Sequence, residues 1–181
     1  NSKRKYAYSW EYTQTQAGEF ICVNTQRANQ IVKQALAAQK IAELASYNEI
    51  TAEVKYGSEN SKIDFLLSSP ILPDCYVEVK SVTLLAQQRG WFPDTQTLRG
   101  QKHLRELIEI KQTGARAVLL FAVMHSGIKQ VSAAKHIDPI YNQLIIEAEQ
   151  AGVEILVYGA TLSPTELCLN KKLDWLNNKQ V

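Results

Sequence analysis

Tyr76-Val77-Glu78-Val79-Lys80 reads as a strand whose two faces carry different chemistry. Side chains alternate across a sheet, so Val77 and Val79 face one side and Tyr76, Glu78 and Lys80 the other. A carboxylate and an ammonium thus share a face, about 6–7 Å apart along the strand. Upstream, Lys62 to Leu67 is a second strand. Ile63, Phe65 and Leu67 share its apolar face, and Asp64 interrupts the run. Ser68-Ser69-Pro70 ends it, and the loop onward holds Pro70 and Pro73, so the two strands are expected to pair antiparallel. Asp64 then meets Glu78 across the pair.

Two carboxylates brought together repel unless something positive sits between them. Mg²⁺ or Mn²⁺ suits oxygen ligands of this kind. A metal so held acidifies a bound water and stabilises charge on a phosphodiester. Lys80 would orient that water or neutralise the phosphate. An Asp, a loop and Glu-x-Lys resemble the signature of the PD-(D/E)xK nucleases. The competing reading is a partly exposed salt bridge between Lys80 and Asp64 or Glu78. Glu-x-Lys alone is common on solvated strands, and its weight here comes from the flanking valines and the acid opposite.

Outward from this pair the chain alternates. Ala28 to Ala45 is helical in character, with Ile31, Val32, Ala35, Leu36 and Leu44 near one stripe. Val54 to Tyr56 is a strand candidate ending at Gly57. Leu98 to Gln112 is an amphipathic helix closed by Gly114. Its inner stripe is read as Leu104, Leu107, Ile108 and Lys111, with Glu106 and Glu109 outside. Arg116 to Met124 is a buried strand. Asp138-Pro139 opens a helix that ends at Gly152. Val153 to Tyr158 is a further buried strand, and the tail from Leu173 looks peripheral. The predicted class is α/β, a mixed sheet flanked by helices, with strand–helix–strand–helix–strand in its second half.

Ahead of this, Tyr6, Tyr8, Trp10 and Tyr12 alternate in a strand that pairs with Phe20 to Val23 around Gly18. Lys3, Arg4 and Lys5 precede these aromatics. Basic residues beside aromatics resemble a platform for single-stranded nucleic acid, with Trp10 as a stacking surface. An aromatic face buried in a small barrel is the alternative. On the long central helix, Arg99 and Lys102 could meet phosphates, or belong to a solvated mixed-charge face. Gln101, at the edge of the inner stripe, could reach toward the metal. Glu43, late on the first helix, is either a further metal contact or a solvated carboxylate. The three histidines, His103, His125 and His136, have no ligand spacing, and surface or helix roles are expected.

Composition limits the classes. Apolar residues make up 45% and charged residues 21%, which suits a globular chain. A formal charge of +2 means any nucleic-acid surface must come from local clustering. Cys22, Cys75 and Cys168 show neither metal-finger nor disulfide spacing, and a reducing cytoplasm suits them. Neither a leader nor a membrane span is expected.

The motifs together resemble one family. Ser61-Lys-Ile-Asp-Phe-Leu-Leu67, Tyr76-Val-Glu-Val-Lys-Ser-Val-Thr-Leu84, Trp91-Phe-Pro-Asp94, Arg99-Gly-Gln-Lys-His-Leu-Arg-Glu-Leu107, Ile137-Asp-Pro-Ile-Tyr141 and Gly152-Val-Glu-Ile-Leu156 stand in the order of the sugar fermentation stimulation protein A family. The resemblance implies a restriction-endonuclease-like core at 26–181, preceded at 1–25 by the closing strands of an OB-like barrel whose first part this sequence lacks. It implies DNA binding and a regulatory role in sugar (maltose) metabolism, with an active Mg²⁺- or Mn²⁺-dependent nuclease as the alternative. RNA stays open as a second ligand and a homodimer as an assembly. Asp64, Glu78 and Lys80 take the nuclease positions, Glu43 and Gln101 the supporting ones, and the Val79 carbonyl a further ligand position. Ala42 and Ser81 depart from the expected proline and asparagine.

Overall fold

The computed structural model describes residues 8–56 and 61–176. Lys3, Arg4 and Lys5 lie outside the described residues. Elements follow as β1 (Tyr12–Gln14), β2 (Phe20–Cys22), α1 (Gln26–Ala37), β3 (Glu49–Tyr56), β4 (Ser61–Ser68), β5 (Cys75–Val82), β6 (Leu84–Ala86) and β7 (Arg89–Phe92). Then come α2 (Leu98–Gln112), β8 (Arg116–Val123), β9 (Gln130–Ala133), α3 (Pro139–Ala151), β10 (Glu154–Leu162), β11 (Leu167–Lys172) and β12 (Asp174–Trp175).

The central sheet has six strands in the order β11-β10-β8-β5-β4-β3. β3, β4 and β5 form the antiparallel meander, and β5, β8 and β10 run parallel. The two parallel steps need crossovers, and α2 and α3 supply them. Each strand buried on both sides reads as a near-continuous apolar run, as Ala117 to Met124 does. Two apolar layers result. α1 covers one face, where Val32, Leu36, Phe65, Val77, Val79 and Leu120 pack. α2 and α3 cover the other, where Leu104, Leu107, Leu119, Phe121 and Ile145 pack.

Several expectations change. The helix predicted over 28–45 is α1 and then a separate 3-10 turn, Ala42–Leu44. Gln39 takes the left-handed conformation (φ 53°), its N–H donates to the Leu36 carbonyl, and the Lys40 N–H donates to the Ala35 carbonyl. That crossed pair of bonds is a Schellman ending, built here without the glycine that normally signals it. The inner stripe of α2 is Gly100, His103, Leu104, Glu106, Leu107 and Ile110, so Glu106 is buried, not outward. The tail from 173 is not peripheral: β12 pairs with β9, and Trp175 stacks on Phe121 at 5.3 Å.

A second sheet was not foreseen. Its four strands, ordered β12-β9-β7-β6, are only two to four residues long. The β1–β2 hairpin docks on the end of β8, where the Cys22 N–H donates to the Met124 carbonyl at 2.9 Å. Tyr12 packs on the α1-side core, while Tyr8 and Trp10 stand 91% and 71% exposed. Among the described residues no barrel closes around them.

Candidate metal centre and its cleft

The β4–β5 ladder runs through Leu67↔Cys75, Leu66↔Tyr76 and Phe65↔Val77, and there it stops. In that register Asp64 and Glu78 are next, opposite each other as predicted. The strand also changes layers at this point. Phe65 and Leu67 pack on the α1 side, but Ile63 packs on the α2 side, so the three do not share one face. The neighbouring Glu53 on β3 is left-handed (φ 55°), consistent with a sharp local twist.

Asp64 fills the gap this opens. Its Oδ2 accepts the Val79 N–H at 2.8 Å, a donor that an uninterrupted ladder would have paired. Its Oδ1 accepts from the Asn29 amide of α1 at 2.7 Å. Ladder bonds from one residue leave on the same side of a strand, so the Val79 carbonyl also faces this gap.

Glu78 turns toward α2 and is 2% exposed. Its Oε1 accepts from the Lys80 ammonium at 2.7 Å and pairs with His103 Nδ1. On the far side of that ring, the Arg99 guanidinium donates to Nε2 at 3.4 Å. The tautomer protonated at Nδ1 satisfies both ring nitrogens at once. The other oxygen, Glu78 Oε2, is buried with no hydrogen-bond partner.

The two acids feel opposite environments. Burial and then the Glu78 charge push the Asp64 carboxyl above its ordinary range, against the bonds from Val79 and Asn29. Burial also pushes Glu78 upward, but His103 and Lys80 outweigh it and hold that carboxyl below its ordinary range. Glu78 therefore has Lys80 as a hydrogen-bonded counter-charge, whereas Asp64 feels Lys80 only through space and is hydrogen-bonded to neutral groups.

A cleft of about 450 Å³ opens beside this cluster, and Thr25, Asn29, Val79, Lys80, Thr83, Phe92 and Asp94 are on its wall. The acids lie just behind it, reached through their immediate partners Asn29, Val79 and Lys80. Among the described residues, no three His, Cys, Asp or Glu side chains gather as a ready ligand set. The oxygen donors nearest this gap are the Asp64 carboxylate and the Val79 carbonyl, with Glu78 next in register and turned toward α2.

A family profile described as the sugar fermentation stimulation protein RE domain matches residues 26–166. The chain belongs to this family. A solved family structure, Pyrococcus furiosus SfsA in complex with Ca²⁺, is 26% identical and superimposes with a TM-score of 0.81. The match covers 88% of this chain and 68% of that one. The family fold is thus the mixed α/β sheet with helices on both faces described above. The small subunit of a heterodimeric restriction endonuclease is matched at 18% identity, over 72% of this chain and 62% of that one, with a TM-score of only 0.34.

Within this family fold the predicted site residues divide. Asp64 accepts from Val79 and Glu78 from Lys80, at adjoining positions of β4 and β5. Glu43 does not join them: it sits in the 3-10 turn, where it accepts from the Tyr158 hydroxyl at 2.6 Å and pairs with Lys172 at 2.5 Å. The Gln101 amide nitrogen donates to both Asp138 oxygens, at 3.1 and 3.0 Å, and so ties α2 to α3. Arg99 is exposed beside the cluster, and Lys102 lies 3.8 Å from Glu106. Trp10 is exposed on the hairpin, its indole N–H donating to the Tyr12 carbonyl at 2.8 Å.

His103 and Asn29 were missed. His103 is 5% exposed and makes direct contact with Glu78. A signal for it existed: His103 lies four residues before Leu107, on the inner face of α2. Asn29 carried no such signal, because an amide on the first helix points to no particular strand.

Proposed function

We propose that this chain is a DNA-binding protein built around a nuclease-like divalent-cation site. The observation that carries the reading is the buried, unpartnered Glu78 Oε2, placed beside a second acid whose hydrogen-bond partners are the neutral Asn29 amide and Val79 N–H. Buried polar atoms are normally paired, and an orphan carboxylate oxygen suits an ion. Asp64, Glu78 and the Val79 carbonyl would hold it, and oxygen donors of this type favour Mg²⁺, Mn²⁺ or Ca²⁺. That the Pyrococcus protein forms a complex with Ca²⁺ supports a divalent-cation site in this chain. The family's description, sugar fermentation stimulation, supports a regulatory setting in sugar metabolism.

Calorimetry with Mn²⁺ tests the site. The wild-type protein is expected to bind, and Asp64→Asn to lose binding. At a hundredfold excess over Kd the ion should add about 2.7 kcal/mol of stability, or roughly 5–10 °C in Tm for a chain of this size. An equal rise in the Asp64→Asn variant would place the ion elsewhere.

DNA binding is expected to be sequence-tolerant, driven by phosphates through Arg99, Lys102 and the Lys3-Arg4-Lys5 segment, with Trp10 stacking on unpaired bases. Affinity should therefore fall steeply with salt, with about 0.9 in log–log slope per phosphate neutralised. Arg99→Ala should reduce that slope by about one. A titration flat with ionic strength would remove the electrostatic basis of the reading.

Lys80 favours a second reading, active phosphodiester hydrolysis. Binding alone does not need an ammonium paired to a buried acid at the wall of the cleft. A bound divalent ion would supply an acidified water and charge stabilisation. Lys80 would neutralise the scissile phosphate, and His103 would keep Glu78 ionised and oriented. Arg99 would engage a flanking phosphate.

A further inference from the structure

β6 and β7 form a hairpin that the metal site does not use. Its register is Leu84↔Trp91, Leu85↔Gly90 and Ala86↔Arg89, leaving Gln87 and Gln88 as a two-residue turn. Both are left-handed, with φ of 52° and 63°. This is the geometry in which a hairpin ordinarily places Asn-Gly. Two glutamines accept a steric penalty that glycine would avoid, and both are exposed. Strain of this kind is kept where side chains are wanted at that spot.

The rest of the hairpin is rigid. Gly90 lies so close to the loop before β9 that a Cβ there would come within 2.8 Å of Ile128. Trp91 meets His136 edge-on at 5.2 Å, and the Arg89 guanidinium sits over the Trp91 ring at 5.2 Å. This sheet is thus a firm base for an exposed tip.

Placement links the hairpin to the cleft. β6 continues from β5, the strand of Glu78 and Lys80, after a single residue. Thr83 and Phe92, one from each leg, are on the cleft wall. From Thr83 to Gln87 an extended chain reaches about 13 Å. A major groove is about 12 Å wide and 8.5 Å deep and admits a two-stranded ribbon.

We infer that the β6–β7 hairpin is a groove-entering ribbon that selects duplex DNA, with the Gln87 and Gln88 amides turned to base edges while Arg89 stays on the Trp91 ring. This rests on the DNA-binding reading above and adds the form of DNA. An amide is donor and acceptor at once, so its rotation accommodates several bases. The ribbon therefore discriminates duplex from single strand more than one sequence from another.

The test is the double variant Gln87→Asn/Gln88→Gly, which installs the pair that this turn prefers. It should melt no lower than wild type, so lost folding cannot explain lost binding. Fluorescence anisotropy with a labelled 30-base-pair duplex and with one of its strands, calcium present, gives the readout. Duplex affinity should fall about tenfold or more, and single-strand affinity less than about twofold. Unchanged duplex affinity, or equal loss on both ligands, overturns the hairpin's role while wild-type binding keeps the DNA reading. Wild-type protein that binds neither ligand overturns both.

Discussion

Lys80→Ala is expected to lower metal-dependent DNA cleavage by at least about a hundredfold, the scale seen when a preorganised charge is removed from a transition state. Lys80 is placed for that role by its strand. It follows Glu78 by two residues, so both leave the same face, and its ammonium is 2.7 Å from Glu78 Oε1 and 3.1 Å from His103 Nδ1. The same side chain is on the cleft wall. Removing it leaves Glu78 still paired with His103. The fold should therefore survive, and Mn²⁺ binding by calorimetry should persist, because the oxygen donors are untouched. Plasmid nicking by full chain and variant, with Mg²⁺ or Mn²⁺, reads the outcome. A variant that nicks at the wild-type rate would take Lys80 out of the chemistry. Wild-type protein inactive on duplex, single-stranded DNA and RNA alike would leave binding as the function.

The acid pair was legible because it obeys a period of two among valines and stands opposite a second acid. The meander and the two long helices are legible for the same reason, a clear apolar period, and the parallel strands through their continuous apolar runs. What escaped was built from short or irregular pieces. Strands of two to four residues, as in β6, β9 and β12, hold too few positions to show alternation. Gln39 ends α1 by backbone hydrogen bonds that leave no mark in side-chain type. At Asp64 the strand crosses between layers, and alternation by itself assumes it does not. Glu43 was assigned by position on a helix that had already ended. No spacing along the chain marks His103, because its partner Glu78 lies on another element.

Asp138→Ala should cost about 3–5 kcal/mol, the loss expected from a capping bond together with several charged hydrogen bonds. Asp138 is 1% exposed and joins three pieces of chain. Its Oδ1 accepts the Tyr141 N–H at 2.9 Å, which caps α3. Its Oδ2 accepts the Thr97 N–H at 3.0 Å, just before α2. Both oxygens accept from Gln101. The two helices also approach closely at Gly100, where a Cβ would stand 3.1 Å from the Tyr141 ring. Alanine would leave two backbone N–H groups and a buried amide unpaired at that joint. A drop of roughly 10 °C or more in Tm should follow, with Gln101→Leu giving a smaller drop. The pH dependence has a definite sign. Burial raises this carboxyl, but the Thr97, Tyr141 and Gln101 donors outweigh it and hold it below the ordinary 3.8. The unfolded chain then takes up the proton first, so the contribution is complete above about 3.8 and is lost as pH falls through the lower folded value. The Tm gap between wild type and Asp138→Ala should accordingly narrow in strong acid. A constant gap from neutral pH downward would show that the carboxylate's charge is not what fastens α2 to α3.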